Sequence, residues 1–354
     1  MSRGRLIIVG GGQSGLAAAR AWREKGWEPV VLEAGQEPVG SWPRYYDSLH
    51  LFSPRRFSAF PGHSFPGDPD GYPGRDEVVD YLRGYARSLD VEFRTGARVV
   101  DVAADGPSFA VDLADGSGLV GDALVAASGS FGNPHVPTMP GLEAFGGSVL
   151  HVAGYRSPED FSGQRVVVVG AGNSAVQVAH ELAEHAKTSL AVRDRVRFAP
   201  QVIAGRDLHW WLRVSRADLL PPSVLERLVT GTPVIDAGKY QKALEAGRPD
   251  QRPMFTAFTP DGVVWPDGSR ERIDAVVFAT GYRPHLPYLR SLGVLDGSGS
   301  PKHERGVATG LSGVGFLGLE FQRSFSSNTL RGVHRDADYV VGALARQARG
   351  AAVA

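Results

Sequence analysis

Two stretches of the chain have the same form, and this duplication restricts the fold more than any other feature. Residues 5–15 read RLIIVGGGQSG and residues 165–175 read RVVVVGAGNSA, each an apolar run followed by a glycine-rich turn and a helix-forming segment. A continuous β-branched run is typical of a strand buried on both faces of a parallel sheet. The sequence therefore predicts an α/β protein with two Rossmann-like dinucleotide-binding domains.

The first glycine-rich turn, Gly10–Gly15, is named the first cradle. In such a turn the first two glycines, Gly10 and Gly12, allow a tight bend and a close approach of backbone to a pyrophosphate. Gly15 lets the helix pack on the strand, while Gln13 and Ser14 lie at the helix N-terminus that attracts anions. The next strand ends in Glu33, which is placed to accept hydrogen bonds from a ribose diol. The first cradle is therefore predicted to bind FAD.

The second cradle is Gly170–Ala175, with Gly172, Asn173 and Ser174 inside it. The same spacing, 23 residues, separates Gly10 from Glu33 and Gly170 from Arg193. A carboxylate repels a ribose 2′-phosphate, whereas a guanidinium pairs with it. The second cradle is therefore predicted to bind NADPH, and the neighbouring Asp194 leaves NADH open. An exposed arginine without a ligand is the alternative for Arg193.

Two bound dinucleotides imply electron transfer from a nicotinamide to a flavin, with the protein supplying position and electrostatics. The 354 residues carry 38 basic and 38 acidic side chains, so nothing favours a nucleic-acid or membrane partner. The absence of cysteine excludes disulfides and cysteine redox relays and agrees with a cytoplasmic protein. The first apolar run is too short for a signal peptide, and no run of about 20 apolar residues predicts a membrane span.

Two similar segments, 122–134 and 274–285, are predicted to be the hinges at which the chain passes between domains. The domain prediction is an FAD-binding domain of residues 1–158 and 282–354, into which an NAD(P)H-binding domain of residues 159–281 is inserted. Segment 200–262 is longer than a Rossmann unit needs. It is expected to cover the active site, to make a homodimer contact, or to be an irregular insertion with its own small core.

Further motifs resemble one family. Phe145, Gly147, His151 and Tyr155 have the spacing FxGxxxHxxxY, and residues 279–282 read ATGY. Together with both cradles, these resemble the class B flavin monooxygenases, in particular the short bacterial CzcO-type flavoproteins. The resemblance implies that NADPH reduces FAD, that O2 adds to flavin C4a, and that one oxygen atom passes to a small sulfide, amine or ketone. An NAD(P)H:flavin oxidoreductase or oxidase is the alternative, and a redox-sensing protein is a third.

The resemblance also implies roles for individual residues. His151 is predicted to act at the domain interface, with a structural histidine as the equal alternative. Phe52 is a candidate residue of the substrate pocket, and the alternative is an ordinary core residue. Arg56 is a candidate to support the oxygenating group, and the alternative is that Arg55 and Arg56 are two solvated surface residues. No metal site is predicted. Further cofactor contacts are predicted in addition to the two cradles, Glu33 and Arg193. They are Gly40, Ser41, Trp42, His50, Val99, Ser128, Gly129, Thr280, Gly281 and Gln322. Of these, Gln322 is a candidate contact to the ribitol at the last strand, with Glu320 as the other candidate.

Overall fold

A computed structural model describes residues 5–220, 224 and 233–351 of the chain. The outer ends of the predicted FAD-binding domain (1–4 and 352–354) and part of segment 200–262 (221–223 and 225–232) lie outside the described residues.

The strands are β1 (Arg5–Val9), β2 (Glu28–Leu32), β3 (Glu92–Arg94), β4 (Val99–Asp105), β5 (Ser108–Leu113), β6 (Gly118–Gly121), β7 (Ala123–Ala126), β8 (Ser148–His151), β9 (Arg165–Val169), β10 (Lys187–Val192), β11 (Phe198–Pro200), β12 (Val202–Ile203), β13 (Arg206–Asp207), β14 (Val234–Asp236), β15 (Asp250–Pro253), β16 (Ala257–Thr259), β17 (Gly262–Val264), β18 (Arg270–Arg272), β19 (Ala275–Phe278), β20 (His303–Glu304), β21 (Val307–Ala308) and β22 (Val314–Phe316). The α-helices are α1 (Gln13–Glu24), α2 (Arg75–Ser88), α3 (Asn173–Leu182), α4 (Leu208–Val214), α5 (Lys239–Glu245) and α6 (Val333–Ala351).

The first unit is built on a seven-stranded sheet with the order β20-β21-β22-β7-β1-β2-β3. Its central strands β22, β7, β1, β2 and β3 pair in parallel. One face packs against α1, α2 and α6, and the other against the antiparallel sheet β4-β5-β6. Because both faces are covered, β1 and β2 are almost wholly apolar, as expected of a parallel sheet.

The second unit repeats this plan on a five-stranded parallel sheet, β15-β10-β9-β19-β8. Helix α3 covers one face, and the antiparallel sheet β16-β17-β18 covers the other with Phe258, Val263 and nearby aromatic residues. The predicted α/β fold with two Rossmann-like units is confirmed. Every strand of the second sheet lies between β7 and β20 in sequence.

The strand β8 corrects the predicted boundary at residue 158. It pairs with β19 at the edge of the second sheet, with Val276 opposite Val149 and Phe278 opposite His151. A boundary between residues 158 and 159 would remove this strand from its own sheet. By strand pairing, the second unit therefore begins before Ser148.

The two chain crossings between the units lie side by side. Pro134 and Tyr282 form an antiparallel bridge, and on either side of it the His135 N–H donates to the Gly281 carbonyl at 2.9 Å and the Arg283 N–H to the Asn133 carbonyl at 3.0 Å. The predicted hinge segments are thus hydrogen-bonded to each other. Among the described residues, no helix combines the length and apolar character that crossing a bilayer requires.

Candidate active site at the two cradles

The first cradle is tightly enclosed by the chain. Gly10 has φ +103°, and a Cβ there would lie 2.5 Å from the Ala127 carbonyl oxygen, while one on Gly15 would overlap the Gly10 carbonyl oxygen. The N-cap residue of α1 is Gly12, and no side chain caps the helix there. The first N–H groups of α1 are therefore available to a phosphate. This geometry fits a dinucleotide pyrophosphate.

Glu33 is buried beside the first cradle, with 8% of its surface exposed. One carboxylate oxygen accepts the Gly11 N–H at 2.6 Å and the other accepts the Gly35 N–H at 2.7 Å. Each oxygen retains a lone pair, so the carboxylate is held rigidly and can still accept a ribose hydroxyl. The Ala97 N–H donates to the Glu33 carbonyl at 2.9 Å, and the predicted contact Val99 lies two residues further on.

The segment from Gly40 to Trp42, predicted from the sequence to contact the flavin, lies against the first cradle. Gly40 has φ +62°, and a Cβ there would be 2.7 Å from the Gly12 Cα. The Trp42 indole donates to the Gln13 side-chain oxygen at 3.1 Å, and the Gln13 side-chain amide donates to the Asn328 carbonyl at 2.7 Å. Asn328 is a site residue that sequence reasoning missed, because it lies 315 residues from Gln13.

A cavity of about 260 Å³ opens where β7 and β22 end. The predicted residues Ser128 and Gly129 line it, together with Tyr282, Gly318 and Asn328. The Ser128 hydroxyl is 2.9 Å from the Tyr288 hydroxyl, which fixes one wall. The carboxyl ends of parallel strands are where ligands bind in open α/β sheets, so this cavity belongs to the candidate active site.

The second cradle has the same backbone but a more open surface. Gly170 has φ +141°, and a Cβ there would lie 2.5 Å from the Ala279 carbonyl oxygen. A Cβ on Gly172, by contrast, would have no described atom within 4 Å. The Asn173 side-chain oxygen accepts the Ile235 N–H at 3.3 Å, which attaches β14 to the start of α3. Arg193 follows β10 and is exposed.

His151 lies at the hinge between the units. It is 7% exposed, its Nδ1 accepts the Ala153 N–H at 3.1 Å, and its ring meets the Tyr282 ring edge-on with centroids 4.9 Å apart. Burial lowers the pKa of His151, so the imidazole is neutral near pH 7. Its Nε2 is buried, and the Gly281 backbone lies beside the ring. The nearby Thr280 hydroxyl donates to the His135 carbonyl, and Gly281 has φ +80°.

An aromatic row connects the first cradle to this hinge. Successive ring centroids are 5.4 Å apart for Trp42–Tyr45, 4.5 Å for Tyr45–Phe131 and 5.2 Å for Phe131–Tyr282. Burial raises the pKa of Tyr45 to about 12, so this row carries no phenolate near pH 7. The row forms an aromatic wall between the two units, and the Arg44 guanidinium lies 5.1 Å from the centroid of its Phe131 ring.

Three predicted site residues lie elsewhere. Arg56 is exposed and forms an ion pair with Asp70 at 2.6 Å, as a solvated surface residue does. His50 is exposed at the start of α2, where its Nδ1 is 2.9 Å from the Ser48 carbonyl oxygen. The buried Gln322 amide donates to the Phe316 carbonyl at 2.9 Å, so its side chain supports the backbone at the end of β22.

Phe52 is half-buried and contacts a segment of the second unit. Its ring is roughly parallel to that of His209, with centroids 6.1 Å apart, and its carbonyl accepts the Gln201 side-chain amide at 3.1 Å. Asp207 accepts hydrogen bonds from Gln201 and Tyr72, both at 2.6 Å. The described part of segment 200–262 that precedes residue 221 thus packs over the first unit.

A buried ion pair attaches the end of this described part, near residue 218, to the first unit. The Arg331 guanidinium contacts both carboxylate oxygens of Asp218, at 2.9 and 3.1 Å, and both side chains are 5% exposed. The residues that sequence reasoning missed here are Tyr72, Asp207, His209, Asp218 and Arg331. Tyr72, Asp218 and Arg331 have partners that are distant in sequence, whereas Asp207 and His209 are hydrogen-bonded to each other within the local stretch 205–213, GRDLHWWLR.

Two cradles on two parallel sheets, one followed by a buried acid and one by an exposed arginine, define an oxidoreductase that uses two dinucleotides. Comparisons with known proteins give the family. Residues 7–307 match the model for pyridine nucleotide-disulphide oxidoreductases. With this match and the relatives below, the chain belongs to that family and, within it, to the class B flavin monooxygenases.

Three relatives illustrate the similarity. The uncharacterized oxidoreductase CzcO-like of Geobacillus kaustophilus is 31% identical over 95% of this chain and 97% of its own length. The indole-3-pyruvate monooxygenase YUCCA1 of rice is 34% identical over 93% of this chain and 91% of its own. The solved flavin-containing monooxygenase of Stenotrophomonas maltophilia is 31% identical, with a TM-score of 0.84 over 99% of this chain and 100% of that one. Membership of this family implies FAD and a pyridine nucleotide as cofactors.

Proposed function

We propose that the protein is an NADPH-dependent flavin monooxygenase that inserts one atom of O2 into a small organic sulfide, amine or ketone. The observation that carries the proposal is the difference between equivalent positions of the two cradles. A buried carboxylate at Glu33 favours a free ribose diol, as in FAD, and an exposed guanidinium at Arg193 favours the 2′-phosphate of NADPH.

The residues divide into two binding sets. FAD would be held by Gly10–Gly15, by Glu33 and by the segment from Gly40 to Trp42. NADPH would be held by Gly170–Ala175 and Arg193. Bound FAD supplies two-electron transfer and the activation of O2, which amino-acid side chains do not provide.

The remaining requirement is the exclusion of water. Oxygen transfer competes with release of hydrogen peroxide, and a dry site favours transfer. The aromatic row and the neutral, buried His151 supply largely apolar walls between the units. The segment from Gln201 to Asp218 covers Phe52 on the first unit. These features support oxygenation over simple oxidase activity.

The test is a stoichiometry. The FAD-loaded protein is incubated with NADPH, O2 and a panel of thioethers, amines and cyclic ketones, and the NADPH oxidised, the oxygenated product and the hydrogen peroxide are all measured. We expect at least one substrate to yield product nearly equal to the NADPH consumed. If the amount of hydrogen peroxide equals the amount of NADPH oxidised with every substrate class, the protein is an oxidase. If it does not oxidise NADPH at all, a redox-sensing role replaces both.

A further inference from the structure

A short segment connects the two cradles directly. We name residues 42–48, WPRYYDS, the bridge. At its first end the Trp42 indole donates to the Gln13 side chain, at the start of α1 and inside the first cradle. The Arg75 guanidinium donates to the Tyr45 carbonyl at 2.8 Å and pairs with Asp47, so the bridge is also attached to α2.

At its second end the bridge enters the core of the other unit. Tyr46 is 1% exposed and packs with Tyr155 and the apolar residues between α3 and the second sheet. Its hydroxyl donates to the Gln177 side-chain oxygen at 2.6 Å, and the Ser174 hydroxyl of the second cradle lies beside it. A residue of the first unit is therefore part of the interior that supports the second cradle.

Contacts on the rim fix the direction of the bridge. The Asp47 N–H donates to the Arg156 carbonyl at 3.0 Å, and the Arg156 guanidinium donates to the carbonyls of Pro43 and Tyr45 at 3.1 and 2.8 Å. The Ser48 hydroxyl donates to Glu181 on α3 at 2.9 Å. These groups are largely exposed and contribute less than the part-buried Tyr46–Gln177 hydrogen bond.

We propose that the bridge sets the position of the second cradle relative to the first, and that Tyr46 is its positioning residue. This inference rests on the proposed function, in which NADPH + H⁺ + FAD gives NADP⁺ + FADH₂. The two electrons leave the nicotinamide together with its hydrogen, and the proton comes from solvent. Transfer of this kind depends steeply on the alignment of donor and acceptor, and a displacement of about 1 Å costs up to about 100-fold in rate. Only three residues lie between Trp42 and Tyr46, so the alignment is set by a very short connection.

The primary test compares Tyr46→Phe with the unchanged protein, both loaded with FAD. We expect the rate of anaerobic flavin reduction by NADPH to fall about tenfold, which corresponds to about 1.4 kcal/mol, because the ring remains but its anchor to α3 is lost. The dissociation constant of NADP⁺ should change by less than twofold, and the flavin content should not change. Tyr240→Phe, at a residue that packs against the same cluster, is the matched control and should leave the rate within twofold.

Two outcomes overturn the inference. One is an unchanged reduction rate in Tyr46→Phe. The other is a parallel loss of rate, NADP⁺ affinity and flavin content, which indicates general destabilisation. Gln177→Leu provides a second route, because it removes the same hydrogen bond from the other side. The single variants should lose rate equally, and the double variant should lose no more than either, as expected for one shared interaction.

Hydrogen exchange of the FAD-loaded protein tests the bridge without turnover. Tyr46→Phe should increase exchange in residues 42–48 and in α3, while α1 keeps the exchange of the unchanged protein. If exchange becomes faster throughout the protein, or if it does not become faster in α3, the bridge does not connect the two cradles specifically. If the unchanged protein is not reduced by NADPH, the proposed function fails, and the exchange pattern still decides whether the bridge connects the two cradles.

Discussion

The two cradles share a backbone and differ in what surrounds it. In each, the first glycine has positive φ and abuts the carbonyl of the alanine that directly follows the neighbouring strand, Ala127 after β7 and Ala279 after β19. In each, the strand before the cradle begins with an arginine whose N–H is accepted by an aspartate, Asp122 at 2.9 Å and Asp274 at 2.8 Å. The structural duplication thus extends well beyond the glycines.

The difference lies in enclosure. The first cradle is covered by Gly40 and Trp42 and flanked by the buried Glu33. In the second, a Cβ on Gly172 would have no described atom within 4 Å, and Arg193 is exposed. An enclosed site suits a cofactor that stays bound through many turnovers, and an open site suits a nucleotide that exchanges at every turnover. The same supersecondary unit serves either purpose, depending on the loops around it.

The largest expected difference between the two cradles is at their third small residue, Gly15 in the first and Ala175 in the second. Gly15→Ala should abolish FAD binding and expression of folded protein, because the added Cβ overlaps the Gly10 carbonyl oxygen. The reverse exchange at the equivalent position, Ala175→Gly, should retain FAD and cost about 1 kcal/mol in stability. The measurements are flavin absorbance of the purified protein and thermal unfolding. A yellow, stable Gly15→Ala protein would contradict this account of the first cradle.

Glu33 tests how the first cradle recognises the ribose of its cofactor. Glu33→Gln places an amide NH₂ against one of two backbone N–H donors, Gly11 or Gly35. Hydrogen bonds to charged groups contribute about 1.5–3 kcal/mol, so FAD affinity should fall roughly tenfold to hundredfold. Calorimetric titration of the deflavinated protein measures it. Glu37→Gln, an exposed acid paired with Arg83, is the control, and equal losses in the two variants would remove the assigned role of Glu33.

Glu271, beside the first residue of β9, should make the stability of the second unit depend on pH in the acid range. Burial opposes the ionisation of Glu271, but its hydrogen bond with Arg165, helped by Trp265 and Arg252, outweighs this and lowers its pKa to about 2. The resulting stabilisation is complete above pH 4.5 and is lost as the pH falls towards 2. Glu271→Gln should therefore destabilise the second unit by about 2 kcal/mol at pH 7. The difference in melting temperature from the unchanged protein should shrink below pH 4; a constant difference would contradict the pKa.

Arg193 gives the smallest expected effect and tests coenzyme choice. Because its side chain is exposed, Arg193→Ala should weaken NADPH about tenfold and NADH by less than twofold. The preference should also decrease as salt is added, since the interaction is screened. KM values for both coenzymes at two ionic strengths measure this, with Arg195→Ala as the neighbouring control. Equal losses for NADPH and NADH would withdraw the assignment of NADPH.

Sequence reasoning succeeded where the signal was local. Glycine spacing, the apolar strands and the position of Glu33 lie within short windows, and the cradles formed as predicted. It failed where contacts join distant parts of the chain, such as Gln13 with Asn328 or Asp218 with Arg331. Strand β8 was assigned to the wrong unit because only its pairing with β19 reveals its sheet. Arg56 lies near the motif residues in sequence, yet an ion pair with Asp70 holds it on the surface.

The adjacency of Pro134 and Tyr282 bears on how segments of this chain can be exchanged. Where the two ends of a segment meet at one point, the segment can be replaced without stretching the rest of the polypeptide. Chimeras that exchange residues 135–281 between relatives should therefore join cleanly at these ends. We expect them to fold best when Tyr46 and Arg331, whose partners Gln177 and Asp218 lie inside the exchanged range, are exchanged as well.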